Sequence, residues 1–250
     1  MRMRVAALLL IGFGSSAVHC FSARGACRFF LDTADTECWR ELLPLGIFHG
    51  VTTNPTILQR CGVPCDIESI SSLADTAFEL DACEFMAQAW GGTADAMYET
   101  GLAIRDIDPD RVIVKLPVTA AGVEAAARLA TVGSGTRVCL TACYVSTQAL
   151  TAASAGVEYL APYLGRMTDA GKDGMLECER MQAIVDGLGS KTRILVASIR
   201  DIDQMATLAS RGMDTFTFSP EVARALFANK DTAAAAAAFE EAAASGAGGA

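Results

Sequence analysis

The chain has 250 residues, 52% of them hydrophobic and 20% charged, with a mean hydropathy of +0.32. This excludes disorder as the main state and supplies ample core, at a length that suits two small domains or one eight-unit barrel. A formal charge of -9 and a pI of 4.7 set the average surface against a nucleic-acid backbone or an anionic membrane, while local arginines still suit small anions. Nine cysteines are too sparse for a disulfide scaffold, and Cys61 and Cys65 lack the spacing of a zinc knuckle, so most are expected to be buried thiols.

Residues 1–20 read as a cleavable leader. Arg2 and Arg4 precede an apolar run, Val5 to Phe13, too short to cross a bilayer, and the small residues after it suit a signal peptidase. Gly12 and Gly14 argue against an N-terminal core helix. Residues 21–27 begin Phe21-Ser22-Ala23-Arg24, basic and free of acids, as in a transit segment. A secretory leader followed by such a segment resembles the two-part targeting sequence of algae with complex plastids, so a plastid is the expected location, ahead of the secretory pathway or the cytoplasm. Removing residues 1–27 takes away three arginines and no acid and leaves a balance of -12. No later segment is apolar enough to cross a membrane, so the mature form is expected to be free of one.

From residue 28, short β-rich apolar runs alternate with stretches of helical period. Strands are predicted at residues 28–33, 47–52, 80–86, 111–117, 137–142, 158–163, 192–198 and 214–218, and crossover helices at 93–104, 120–130 and 174–185 among others. Alternating β and α with near-continuous apolar strands implies a parallel sheet covered by helices. The expected fold is α/β, a (β/α)8 TIM barrel over residues 28–228 with an extra C-terminal helix in the alanine-rich segment 229–250, helical to about residue 244 and either docked or frayed. A doubly wound open sheet is the structural alternative, but no G-x-G-x-x-G follows an early strand.

Each apolar run ends on a polar residue: Asp32, Thr52 with Asn54, Glu84, Lys115, Thr141 and Ser198. In a barrel the C-terminal strand ends form the catalytic face. Lys115 is the sharpest case, because aliphatic residues flank it and an ammonium in a barrel interior is costly to desolvate. Its neutral amine attacks carbonyls to form a Schiff base, an electron sink for breaking carbon–carbon bonds. That chemistry needs proton shuttles, for which Asp32 and Glu84 are placed, with Thr141 able to fix a water.

Six stretches then carry a resemblance: Phe29 to Asp35 (FFLDTAD), Gly50 to Thr56 (GVTTNPT), Val114 to Thr119 (VKLPVT), Ala161 to Arg166 (APYLGR), Asp173-Gly174-Met175 and Ala197-Ser198-Ile199-Arg200. Collinear from about Arg28 to Phe239, they resemble the small transaldolases and their relatives, the fructose-6-phosphate aldolases. The resemblance implies a class I mechanism needing no metal or other cofactor, acting on small sugar phosphates. It assigns the Schiff base to Lys115 and removal of the C4 hydroxyl proton to Asp32. Glu84 and Thr141 would hold the catalytic water, and Thr52 and Asn54 would line the dihydroxyacetone end. Ser198, Arg200 and Arg166 would grip the phosphate, as arginine forks suit phosphate in the late loops of such barrels.

The family divides after cleavage, when the enamine either waits for an aldose phosphate acceptor or is protonated to release dihydroxyacetone. Transaldolases resemble the chain in carrying Glu84, where the aldolases have glutamine; the aldolases resemble it in Tyr163, where transaldolases usually have phenylalanine. A carboxylate works as a general acid–base and an amide does not, which favours a transaldolase of the pentose phosphate pathway over the aldolase. The competing class is an inactive barrel kept as a binding protein, against which the four intact polar residues argue. The resemblance also implies a homo-oligomer, a pentamer or decamer. The Gly133-Ser134-Gly135-Thr136 loop and the Gly-Ala ending depart from the family pattern.

Overall fold

The computed structural model describes residues 27–131 and 135–246; the expected leader, most of the transit-like segment, Gly133, Ser134 and the last four residues lie outside the described residues. The strands are β1 Arg28–Asp32, β2 Phe48–Thr52, β3 Glu84–Gln88, β4 Val112–Pro117, β5 Arg137–Cys143, β6 Tyr159–Pro162, β7 Arg193–Ile194, β8 Val196–Ile199 and β9 Thr215–Phe218. The helices are α1 Thr36–Leu42, α2 Pro55–Arg60, α3 Ile67–Glu79, α4 Ala94–Arg105, α5 Ala120–Leu129, α6 Gln148–Ala155, α7 Leu164–Asp169, α8 Gly174–Gly187, α9 Ile202–Ser210, α10 Pro220–Ala225 and α11 Lys230–Gly246. Side-chain oxygens start many of them: Asp35, Asn54, Asp66, Thr93, Thr119, Asp173, Asp201 and Ser219 each accept from a main-chain N–H of the first turn.

All pairings are parallel, in the order β7-β6-β5-β4-β3-β2-β1-β9-β8. Only Leu195 separates β7 from β8. The first half pairs with β6 through Leu160 and Ile194, the second with β9 through Ile199 and Phe218, and Tyr163 bridges Ala197. The two halves are therefore one barrel strand that closes the cylinder, giving the expected (β/α)8 barrel.

Closure makes two cores, because successive side chains on a strand face opposite ways. Phe30, Met86, Ile113, Cys139, Tyr159, Ala161, Leu195 and Ala197 fill the inside of the barrel. Leu31, Phe85, Val112, Val114, Leu116 and Leu140 face outward onto helix residues such as Trp39, Ile70, Ile104 and Leu129. Each such side chain contributes about 1.5–3 kcal/mol on burial.

Two expectations are corrected, and one left open is narrowed. The strand expected at 80–86 lies later, because Leu80 caps α3 and Asp81, at φ 63°, makes the left-handed turn that ends it. Glu84 therefore opens β3 rather than closing it. Of the described thiols, Cys139, Cys143 and Cys178 are buried, but Cys27, Cys61 and Cys65 are exposed and Cys38 is intermediate, since these four sit at element ends and loops. The alanine-rich tail does form a helix, α11, but every residue of it with a described side chain is exposed, Phe239 at 72%. It is helical without being docked. No described helix is long and apolar enough to cross a membrane.

At the N-terminal end of the barrel Glu84 is the hub of an ionic cluster. Its Oε1 lies 2.6 Å from Arg137 Nη2, 3.4 Å from Arg28 Nη1 and 3.1 Å from His49 Nε2, while Tyr159 Oη donates to its Oε2 at 2.8 Å. Burial alone would raise the Glu84 carboxyl, but the His49 hydrogen bond and the Arg137 guanidinium outweigh it and lower it from 4.5 to about 2. A carboxyl so depressed stabilises the fold above pH 4.5 and loses that contribution as the pH falls towards 2. Glu84→Gln should therefore cost about 3 kcal/mol at pH 7. Urea unfolding of wild type and variant should show the gap narrowing between pH 4.5 and 2.

Candidate active site

The opposite end of the barrel gathers a different set. Asp32, Thr52 and Gln88 are the last residues of β1, β2 and β3. Lys115 pairs in register with Gln88 on one side and Cys139 on the other, and Pro117 pairs with Thr141. Lys115 is 3% exposed, and its Nζ donates to the Thr53 carbonyl at 3.0 Å. That carbonyl is available because β2 ends at Thr52 and the chain turns into Asn54, whose side chain caps α2 by accepting from the Ile57 N–H at 3.0 Å.

A cavity of about 280 Å³ opens above Lys115. Of the ten residues singled out from sequence, seven border it: Asp32, Asn54, Lys115, Tyr163, Arg166, Ser198 and Arg200. Two more are bonded to its wall. Thr52 Oγ1 donates to Asp32 Oδ1 at 2.6 Å, and Thr141 Oγ1 donates to Tyr163 Oη at 3.1 Å. Glu84 is the exception. It sits two inward positions below the catalytic end and is fully engaged in the ionic cluster at the other rim. On the inward face of β3 the sequence Glu84, Met86, Gln88 brings Gln88 to the level of Lys115. The polar side chain at the catalytic end of this strand is an amide, not a carboxylate.

The rim is cationic. Arg166 stacks over the Tyr163 ring, its Cζ 4.8 Å from the centroid. Arg200 makes a two-pronged bond with Asp169, Nη1 to Oδ1 at 2.6 Å and Nη2 to Oδ2, which raises the guanidinium and lowers the carboxyl. Ser198 holds a left-handed φ of 58° inside β8, where the pairing with β9 shifts register. A Cβ on Gly165 would meet the Ser198 carbonyl oxygen at 2.4 Å and Arg200 Nε at 2.9 Å. Glycine is what lets these two rim segments touch.

Sequence reasoning missed four residues. Arg60, Thr217 and Ser219 also line the cavity, and Gln88 stands beside Lys115. Alternation was the available signal: Thr215-Phe216-Thr217-Phe218 puts its threonines on the inside of any barrel strand, and extending Glu84 and Met86 by one step reaches Gln88. A buried amine, a carboxylate and hydroxyls at one depth, beneath three arginines, suit carbonyl chemistry on an anionic substrate.

The model of the Transaldolase/Fructose-6-phosphate aldolase family matches residues 29–247. A probable transaldolase of Caulobacter sp. (strain K31) is 38% identical over 200 residues, covering 80% of this chain and 88% of the relative. One of Jannaschia sp. (strain CCS1) is 37% identical over 199 residues, with the same coverage. Among solved structures, a native KDPGal structure aligns with a TM-score of 0.51 at 17% identity over 79% of this chain and 84% of the other. A monomeric dihydrodipicolinate synthase variant aligns at 0.54 and 10%, over 78% and 69%. At those identities the structural matches speak to the barrel alone.

Gly165→Ala must push the Ser198 main chain away and should cost about 1–3 kcal/mol of stability. The displaced Arg200 should also weaken binding of inorganic phosphate in the cavity, roughly tenfold for one lost charged contact. Denaturant unfolding and titration calorimetry check the two effects.

Proposed function

The chain belongs to the Transaldolase/Fructose-6-phosphate aldolase family, and from that premise we propose that it splits the C3–C4 bond of a ketose phosphate through a Schiff base on Lys115 and releases dihydroxyacetone. The phosphate of an incoming fructose 6-phosphate meets Arg166, Arg200 and Ser198, and its C2 carbonyl reaches Lys115 at the cavity floor. The amine adds to C2, water leaves, and the protonated imine withdraws electrons from C3. Asp32 takes the C4 hydroxyl proton. The C3–C4 pair moves into the enamine, and C4 departs as the aldehyde of a three-carbon aldose phosphate. Protonation at C3 and hydrolysis then free dihydroxyacetone and the lysine.

The observation that carries this reading is a lysine 3% exposed at the barrel's catalytic end, with Asp32 in the same cavity and Gln88 beside it in register. The carboxylate that favoured transaldolase was Glu84, and it serves the other rim. Glutamine at the top of β3 and tyrosine at 163 are what the resemblance to the aldolases implies. An amide cannot relay protons, whereas Tyr163 Oη accepts from Thr141 and so keeps its own proton for the enamine carbon. Transfer to an aldose phosphate acceptor is the second reading, favoured by the probable transaldolases at 34–38% identity.

Borohydride reduction with fructose 6-phosphate should fix a covalent adduct on Lys115, and Lys115→Met should give none. A wild-type chain without adduct ends the Schiff-base reading. Turnover of fructose 6-phosphate should proceed without erythrose 4-phosphate, and Tyr163→Phe should slow dihydroxyacetone release on the order of 100-fold, the scale of a lost general acid. Strict dependence on the acceptor would instead establish the transferase.

A further inference from the structure

One polar contact near the cavity remains without a role. Thr52 Oγ1 lies 2.6 Å from Asp32 Oδ1 and 2.5 Å from Thr217 Oγ1. Thr52 and Thr217 are 0% and 2% exposed, so neither hydroxyl trades its partner for bulk water. They come from β2 and β9, the two strands that flank β1, and meet across it, with Thr52 alone bonded to the Asp32 side chain.

Counting hydrogens sets the direction of the chain. An ionised Asp32 only accepts, and Thr52 has a single hydroxyl hydrogen, which the 2.6 Å contact assigns to Asp32. The hydrogen between the two threonines must then come from Thr217. Thr217 donates to Thr52, and Thr52 donates to Oδ1, a run in which each bond polarises the next.

We propose that Thr217 is a positioning residue for the carbon–carbon cleavage, acting through Thr52 to hold Oδ1 of Asp32 and leave the second carboxylate oxygen for the substrate. In the cleavage step that oxygen takes the C4 hydroxyl proton, the C3–C4 electrons pass into the enamine, and C4 leaves as aldehyde. Without Thr217 the Thr52 hydroxyl loses the donor that fixes its rotamer, and the carboxylate rotates away from the C4 hydroxyl. Schiff-base formation at Lys115 needs no such alignment. This inference rests on the Schiff-base reading above.

The test compares Thr217→Val and Thr217→Ser in the full chain, with fructose 6-phosphate as substrate. Thr217→Val should lower kcat roughly tenfold, a part of what a well-placed general base supplies, while KM and the borohydride-trapped fraction on Lys115 stay within about twofold of wild type. Thr217→Ser, which keeps the donor, should recover kcat to within about threefold. In an Asp32→Asn background Thr217→Val should cause no further loss. Should Thr217→Val not fold, Thr217→Ala takes its place in every comparison. A wild-type rate in the valine variant, equal losses in the valine and serine variants, or an undiminished loss in the Asp32→Asn background each overturns the role of Thr217. A wild-type protein that traps no adduct overturns the Schiff-base reading instead.

Discussion

A single hydrogen bond, from Lys115 Nζ to the Thr53 carbonyl, sets the terms for the rest of the molecule. An amine almost wholly removed from water needs a fixed acceptor, and a main-chain carbonyl is the acceptor least able to drift. That carbonyl points inward because β2 stops at Thr52 and Asn54 turns the chain into a helix. The geometry of the Lys115 nitrogen is thereby inherited from a strand end and a helix cap on a neighbouring unit, both set by local sequence.

The two mouths of the barrel divide the polar work. One carries Arg28, His49, Glu84, Arg137 and Tyr159, an ionic cluster gathered on one buried carboxylate. The other carries Asp32, Gln88, Lys115 and Tyr163 around an open space, with Thr52 and Thr141 bonded into its wall. Two inward steps along β3 separate Glu84 from Gln88, yet they serve opposite ends. In a strand of five residues a shift of that size decides whether a side chain belongs to stability or to chemistry.

Much of this was legible in the sequence. The eight apolar runs, the barrel, and the choice of Asp32 and Lys115 follow from period and from polar residues closing strands, while Tyr163 and Arg200 are pointed to only by the family resemblance. The position of Glu84 did not follow, because Leu80 reads as the start of a strand when it is the end of a helix, and the left-handed turn at Asp81 has no marker as plain as glycine. Gln88 was hidden by standing just past an apolar run, where amides usually mean loop. Thr52 and Thr217 touch only because the cylinder closes, and Arg200 meets Asp169 only because α7 and the loop after β8 converge. Contacts between distant segments have no local signature.

The way the cylinder closes also bears on how the chain is made. β1 forms first on the ribosome but finds its second neighbour, β9, only near the end of synthesis. Until then two strand edges stay open to any passing backbone, a hazard for nascent chains of high contact order. The final parallel pairing, Arg28 with Thr215 through Leu31 with Phe218, is thus the latch of biosynthesis as well as a wall of the reaction vessel.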